Sequence, residues 1–123
     1  MHIVPVILCG GNGLRLWPVS SRSLPKQFLP LIGTRTLFEE TLDRVAAPEL
    51  FDRPIVITNN RFRFLAAEQI ATVEAGADIV LEPAQRDSAA AVAAAAFIAA
   101  RRNPEALVLV VAADHFIADA DKF

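Results

Sequence analysis

The sequence predicts an α/β protein, a doubly wound and mostly parallel sheet in three layers, and three observations carry that reading. Four short runs rich in β-branched and aliphatic residues have no polar alternation, as expected of strands buried on both faces. Stretches of helical period separate them, and strands alternating with helices imply right-handed βαβ crossovers. A glycine-rich segment also follows the first run directly, where the ligand crevice of such a sheet lies.

The strands are Ile3–Leu8, Ile55–Thr58, Ile79–Leu81 and Leu107–Val111. Pro5 removes a ladder donor from the first, so its regular part is expected at Val6–Leu8. The first helix begins at Thr36, whose spacing to Glu39 forms a capping box. Phe38, Leu42 and Val45 then share one face, and Pro48 follows the end. A second helix runs from about Arg61 to Ala75, with Phe62, Ala66, Ile70 and Val73 on one side and Gly76 at the C′ position. A third starts after Asp87 or Ser88, either a good N-cap, and continues to Arg102, with Asn103-Pro104 as its stop. The segment from Asn12 to Arg35 has little periodicity and reads as a functional loop.

Composition narrows the function classes. The 123 residues suit one domain, and 54% apolar content is enough for a core. Twelve basic against fourteen acidic residues give a net charge of −2, which argues against a nucleic-acid partner. The single Cys9 cannot form an internal disulfide and reads as a buried structural thiol, consistent with a reducing compartment. No charged, apolar leader opens the chain, and the alanine-rich run from Ala89 to Ala100 is shorter than the about 20 residues needed to cross a bilayer. A cytoplasmic protein without a membrane partner is expected.

Gly10, Gly11 and Gly13 would let backbone N–H groups approach phosphate oxygens, with Arg15 and Lys26 close in sequence to neutralise charge. A nucleoside triphosphate site is the natural reading. It is not a P-loop, because the chain has no Lys-Ser or Lys-Thr pair. A dinucleotide fingerprint also fits poorly: Leu16 stands at the third glycine position, and Thr58 and Asn59 replace the acid at the end of the second strand.

Further motifs select a family. Gly10-Gly11-Asn12-Gly13-Leu14-Arg15-Leu16-Trp17-Pro18 and Pro25-Lys26-Gln27-Phe28-Leu29 resemble the signature of the sugar-phosphate nucleotidyltransferases. The Trp-Pro and Lys-Gln-Phe spellings resemble the mannose-1-phosphate guanylyltransferase branch. Glu82-Pro83-Ala84-Gln85-Arg86-Asp87-Ser88-Ala89 and Ala113-Asp114-His115 resemble two later motifs of that branch. Departures occur at Leu14, Ser21, Asp87-Ser88, Ala90 and Ala112, and Asp87 adds a negative charge.

The resemblance implies a Rossmann-like nucleotidyltransferase fold of which residues 1–123 form the N-terminal, nucleotide-binding part. The remainder of the domain, with the sugar site and a second metal-binding carboxylate, would lie outside this chain, which alone is expected to be inactive. The implied reaction joins GTP and mannose 1-phosphate into GDP-mannose and pyrophosphate. Thymidylyl or uridylyl transfer to glucose 1-phosphate, and a non-catalytic nucleotide-binding module, are the alternatives; a homodimer is left open. Arg15 and Lys26 take the catalytic positions, forking across phosphate oxygens and acting as a compact point charge. Leu8, Gly10, Gly11, Gly13, Glu82, Arg86 and Ser88 take nucleotide-binding positions. Asp114, after the fourth strand, offers hard oxygen ligands to magnesium, the expected cofactor. Glu82 at a strand end can accept from guanine N1–H and N2, which uracil and thymine cannot match. Attack by an ionised phosphate needs no base, so His115 is read as structural, and Trp17 and Phe28 as packing residues.

Overall fold

The structure is a computed structural model that describes residues 3–9, 28, 30, 35–82 and 88–113. Among the described residues seven elements alternate: β1 (Ile3–Leu8), α1 (Leu37–Arg44), β2 (Ile55–Asn59), α2 (Arg63–Thr72), β3 (Asp78–Glu82), α3 (Ser88–Arg102) and β4 (Leu107–Ala112). The four strands form one sheet in the order β3-β2-β1-β4, and every pairing is parallel. The expected α/β, doubly wound architecture is therefore present.

Burial explains why the strands lack alternation. On one face Ile7, Cys9 and Val56 pack with Phe38, Leu42, Phe62, Ala66 and Ile70 beneath α1 and α2. On the other, Val4, Val6, Ile55 and Ile57 pack against Ala95 and Ala99 of α3. Alanine on the inner side of α3 lets that helix approach the sheet closely. Among the described residues β3 and β4 are the outer strands, and β4 leaves Leu107 and Val110 exposed.

Pro5 corrects one expectation, because β1 is regular from Ile3 and pairs with β4 along its whole length. The N–H groups of Ile3 and Cys9 donate toward the β2 side, to the Leu50 and Ile57 carbonyls at 3.1 and 2.8 Å. Pro5 has the same parity, so its missing N–H faces that side too. There the ladder is already interrupted. Between the Ile3↔Phe51 bridge and the Ile7↔Val56 pair, the facing chain holds one residue more than β1. Proline thus stands opposite a bulge in the facing chain, where no ladder donor is required.

The capping box of α1 forms as expected. Glu39 N–H donates to Thr36 Oγ1 at 3.0 Å, and Thr36 N–H donates to Glu39 Oε1 at 2.8 Å. Helix α2 is shorter than its periodicity suggested, because Asn59 Oδ1 accepts the Phe62 N–H and holds residues 60–62 in a turn. Its end corrects a second expectation. Glu74, not Gly76, adopts the left-handed conformation, with φ 56°. The Glu74 and Ala75 N–H groups donate to the Ala71 and Ile70 carbonyls, which is a Schellman motif. At Gly76 a Cβ would meet only the guanidinium end of the Arg53 side chain, with Nη1 at 2.9 Å. Helix α3 includes Ser88 as its first residue, so Ser88 is not the N-cap. Asp87 lies outside the described residues.

Candidate functional site

In a parallel sheet all carboxyl ends share one edge. The chain leaves each strand there and returns along a helix, so helix N-termini face that edge as well. The strand order reverses at β1, whose neighbours are β2 on one side and β4 on the other. A switch point of this kind opens a crevice outside the carboxyl ends of the two diverging strands. Here that crevice lies between the ends of β1 and β4.

Backbone bonding continues past both strand ends. Leu8 pairs with Ala112, and the Ala113 N–H donates to the Leu8 carbonyl at 3.1 Å. On the other side Cys9 N–H donates to the Ile57 carbonyl, and the buried Thr58 hydroxyl donates to the Cys9 carbonyl at 2.9 Å. The two connections are thus held to the sheet up to Cys9 and Ala113. Gly10 and Asp114 follow at once in the chain, each within two residues of the Leu8↔Ala112 rung.

Of the sequence-predicted site residues, the structure describes three. Leu8 is half-buried at the end of β1, with its side chain on the α3 face. Glu82 ends β3 and is half-buried. It pairs with Asn59, whereas Leu8 pairs with Ile57, so Glu82 stands two residues farther toward the crevice edge. Two strand spacings separate β3 from β1, a lateral distance of roughly 10 Å, on the scale of one nucleotide. Ser88 opens α3, whose first turn has no acidic residue and whose last has Arg101 and Arg102. The positive end of that helix dipole therefore faces the carboxyl edge. Gly10, Gly11, Gly13, Arg15, Lys26, Arg86 and Asp114 lie outside the described residues, as do Trp17 and His115.

Two buried features were missed from the sequence. The Thr58 hydroxyl ties β2 to the start of the glycine segment; its signal was a polar residue closing an apolar run. The second surrounds Phe28, which is a core residue as expected. Its ring sits 5.6 Å from Phe38 in a T-shaped arrangement and 5.7 Å from Phe62. Its carbonyl accepts from Gln69 Nε2 at 3.2 Å, while Gln69 Oε1 accepts the Thr36 hydroxyl at 2.7 Å.

Other polar groups lie at the opposite edge. Arg53 and Arg102 both bond the Asp78 carboxylate, and Arg102 also donates to the Arg53 carbonyl at 2.7 Å. The Arg53 hydrogen bond holds the Asp78 carboxyl below its ordinary range; partial burial opposes this, and the charges of Arg53 and Arg102 reinforce it. A cavity of about 240 Å³ beside this cluster is lined by Leu42, Pro48, Phe51, Arg53 and Val73. It sits at the amino ends of the strands, away from the crevice. Among the described residues no three His, Cys, Asp or Glu side chains converge to hold a metal, and no helix is long and apolar enough to cross a membrane.

A parallel doubly wound sheet with a crevice at its switch point defines the class of open α/β proteins that take ligands outside the carboxyl ends of their strands. The family model described as nucleotidyl transferase matches residues 4–123, and the chain belongs to that family. It is 50% identical to a mannose-1-phosphate guanylyltransferase of Sinorhizobium fredii over 98% of this chain and 24% of that protein. It is 46% identical to a mannose-1-phosphate guanylyltransferase of Escherichia coli over 98% of this chain and 26% of that protein. The chain thus spans about a quarter of the length of these curated relatives. A solved structure from Thermus thermophilus, described as a mannose-1-phosphate geranyltransferase, superposes with a TM-score of 0.78 at 33% identity. The match covers 98% of this chain and 35% of the other.

Proposed function

We propose that this chain is the nucleotide-binding part of a mannose-1-phosphate guanylyltransferase, working in the cytoplasm. The observation that carries the reading is the Leu8↔Ala112 rung, from which both the glycine segment and Asp114 depart. The names of the curated relatives from Sinorhizobium fredii and Escherichia coli, both mannose-1-phosphate guanylyltransferases, support the substrates.

In this reading an oxygen of mannose 1-phosphate attacks the α-phosphorus of GTP. The bond to the β-phosphate oxygen breaks, and pyrophosphate leaves with that electron pair. Both reactants are anions, so the protein neutralises charge and holds an in-line geometry. The backbone at Gly10, Gly11 and Gly13 and the positive end of α3, at Ser88, cradle phosphates. Arg15 stabilises the departing pyrophosphate, and Lys26 balances charge at the α-phosphate. Leu8 and Arg86 border the nucleotide. The carboxylate of Asp114 offers hard oxygen ligands suited to magnesium, which when bound would supply further neutralisation of phosphate charge. Glu82 reads guanine by accepting from N1–H and N2.

Calorimetric titration of GTP, UTP and dTTP, each with magnesium, tests the assignment. GTP is expected to bind most tightly. Glu82→Gln turns one acceptor into a donor facing a guanine donor, and should weaken GTP by about 1–3 kcal/mol. Equal affinity for the three nucleotides would refute guanine selection. An unchanged preference in the Gln variant would assign base reading to another group.

A further inference from the structure

Three described residues end neighbouring strands at the carboxyl edge and share one face of the sheet. Leu8 pairs with Ile57, two residues before Asn59, and Asn59 pairs with Glu82. Side chains alternate along a strand, so Leu8, Asn59 and Glu82 all belong to the face on which Val6 and Ile57 pack against α3. In the order β3-β2-β1, Asn59 stands between the two residues assigned above to the nucleotide, one strand spacing of about 4.8 Å from Glu82. Ser88 opens α3 over the same face. A nucleotide with its phosphates at the switch point and its base at Glu82 must therefore cross the end of β2.

The Asn59 amide is also fixed in sense. Its Oδ1 accepts the Phe62 N–H at 3.1 Å, and only the oxygen end of an amide can meet a donor there. The NH2 is the end left over, and among the described residues nothing accepts from it. Guanine's Watson–Crick edge presents an acceptor, O6, beside two donors, N1–H and N2. The Glu82 carboxylate holds acceptors alone, so it satisfies the donors and leaves O6 without a partner. We propose that Asn59 is a second base-reading residue: its NH2 donates to guanine O6 while Glu82 accepts from N1–H and N2. The proposal rests on the reading above, in which Glu82 reads guanine, and extends it to the third polar atom of that edge. Adenine carries a donor where guanine carries O6, so the same NH2 acts against ATP.

The test is calorimetric titration of the whole protein, with magnesium, by GTP and by the 5′-triphosphate of 2-aminopurine riboside, which has hydrogen in place of O6. Asn59→Asp keeps an oxygen for the Phe62 N–H and removes the NH2, so the turn is retained. Its added charge repels both triphosphates alike, and the quantity to read is therefore the ratio of the two affinities. Asn59→Ser, a shorter cap without added charge, is read by the same criteria if the aspartate variant does not fold. The wild-type preference for GTP over the analogue is expected to fall about 10-fold in either variant. An unchanged ratio would overturn the role of Asn59 even if overall affinity fell, because a loss shared by both nucleotides reports the turn and not the base. Glu82→Gln, measured in parallel, separates this outcome from the reading beneath it. Loss of guanine preference in that variant, beside an unchanged ratio in the Asn59 variants, would sink Asn59 alone. A wild-type protein that binds GTP no more tightly than UTP or dTTP would sink the role of Glu82 and this proposal together.

Discussion

Truncating Phe28 to alanine removes a ring that is 3% exposed and wedged between Phe38 and Phe62. Two effects contribute. Losing the buried side chain and leaving a cavity costs about 3–5 kcal/mol for Phe→Ala in a core. The two ring–ring contacts, each worth about 0.5–1.5 kcal/mol, fall within that loss. Burial therefore dominates, and Phe28→Leu, which keeps aliphatic volume but loses both ring contacts, should cost about 1–2 kcal/mol. Against a total stability of about 5–15 kcal/mol, the alanine variant forfeits a fifth or more. Urea unfolding followed by circular dichroism reads this directly, as a lower midpoint at unchanged slope. A Phe28→Ala protein within about 1 kcal/mol of wild type would refute the packing role and leave the ring free to line the crevice.

Under the proposed role, Arg15→Ala should reduce turnover in the whole protein by far more than the about 0.5 kcal/mol by which a surface substitution ordinarily changes stability; normal turnover would remove Arg15 from the reaction. Glu74→Gly relieves a left-handed backbone that costs about 1–2 kcal/mol in an L-residue and adds unfolded-state entropy of about 0.4–1 kcal/mol, so a net gain near 0.5–1 kcal/mol is expected in urea. The Asp78 carboxyl titrates below its ordinary value in the folded state, so its contribution is present above that value and is lost as pH falls through the folded one. Because the group is half exposed, Asp78→Asn should cost no more than about 1 kcal/mol at pH 7, and the two proteins should converge in acid. A difference that persists undiminished at low pH would show the loss to be one of packing.

What could be read from the sequence depended on how local its cause was. Apolar runs announced β1 and β2 because both faces of each inner strand are covered, and the three-residue spacing of Thr36 and Glu39 announced the start of α1. Pro5 misled because the bulge that accommodates it arises from the register of a chain some fifty residues away. Gly76 misled because the helix ends earlier: the Ala71 and Ile70 carbonyls are satisfied around Glu74. Leu8 and Glu82 were legible as strand ends. The Gln69 hydrogen bonds were not, since nothing near that residue in sequence indicates that Thr36 and Phe28 would meet it.

The position of the crevice also bears on the order of folding. β1, β2 and β3 join neighbours in the order in which they are made, through comparatively short crossovers. The pair that flanks the crevice is different, since Ile3 meets Leu107 across nearly the whole chain. Closing so long a loop is entropically slow relative to local pairing, and during synthesis β1 must wait for β4 to emerge. Until then the β1 edge is open and the crevice has only one of its two flanking strands. The crevice, and with it the nucleotide binding proposed for it, should therefore appear late in folding, after the α1/α2 face of the sheet has already consolidated.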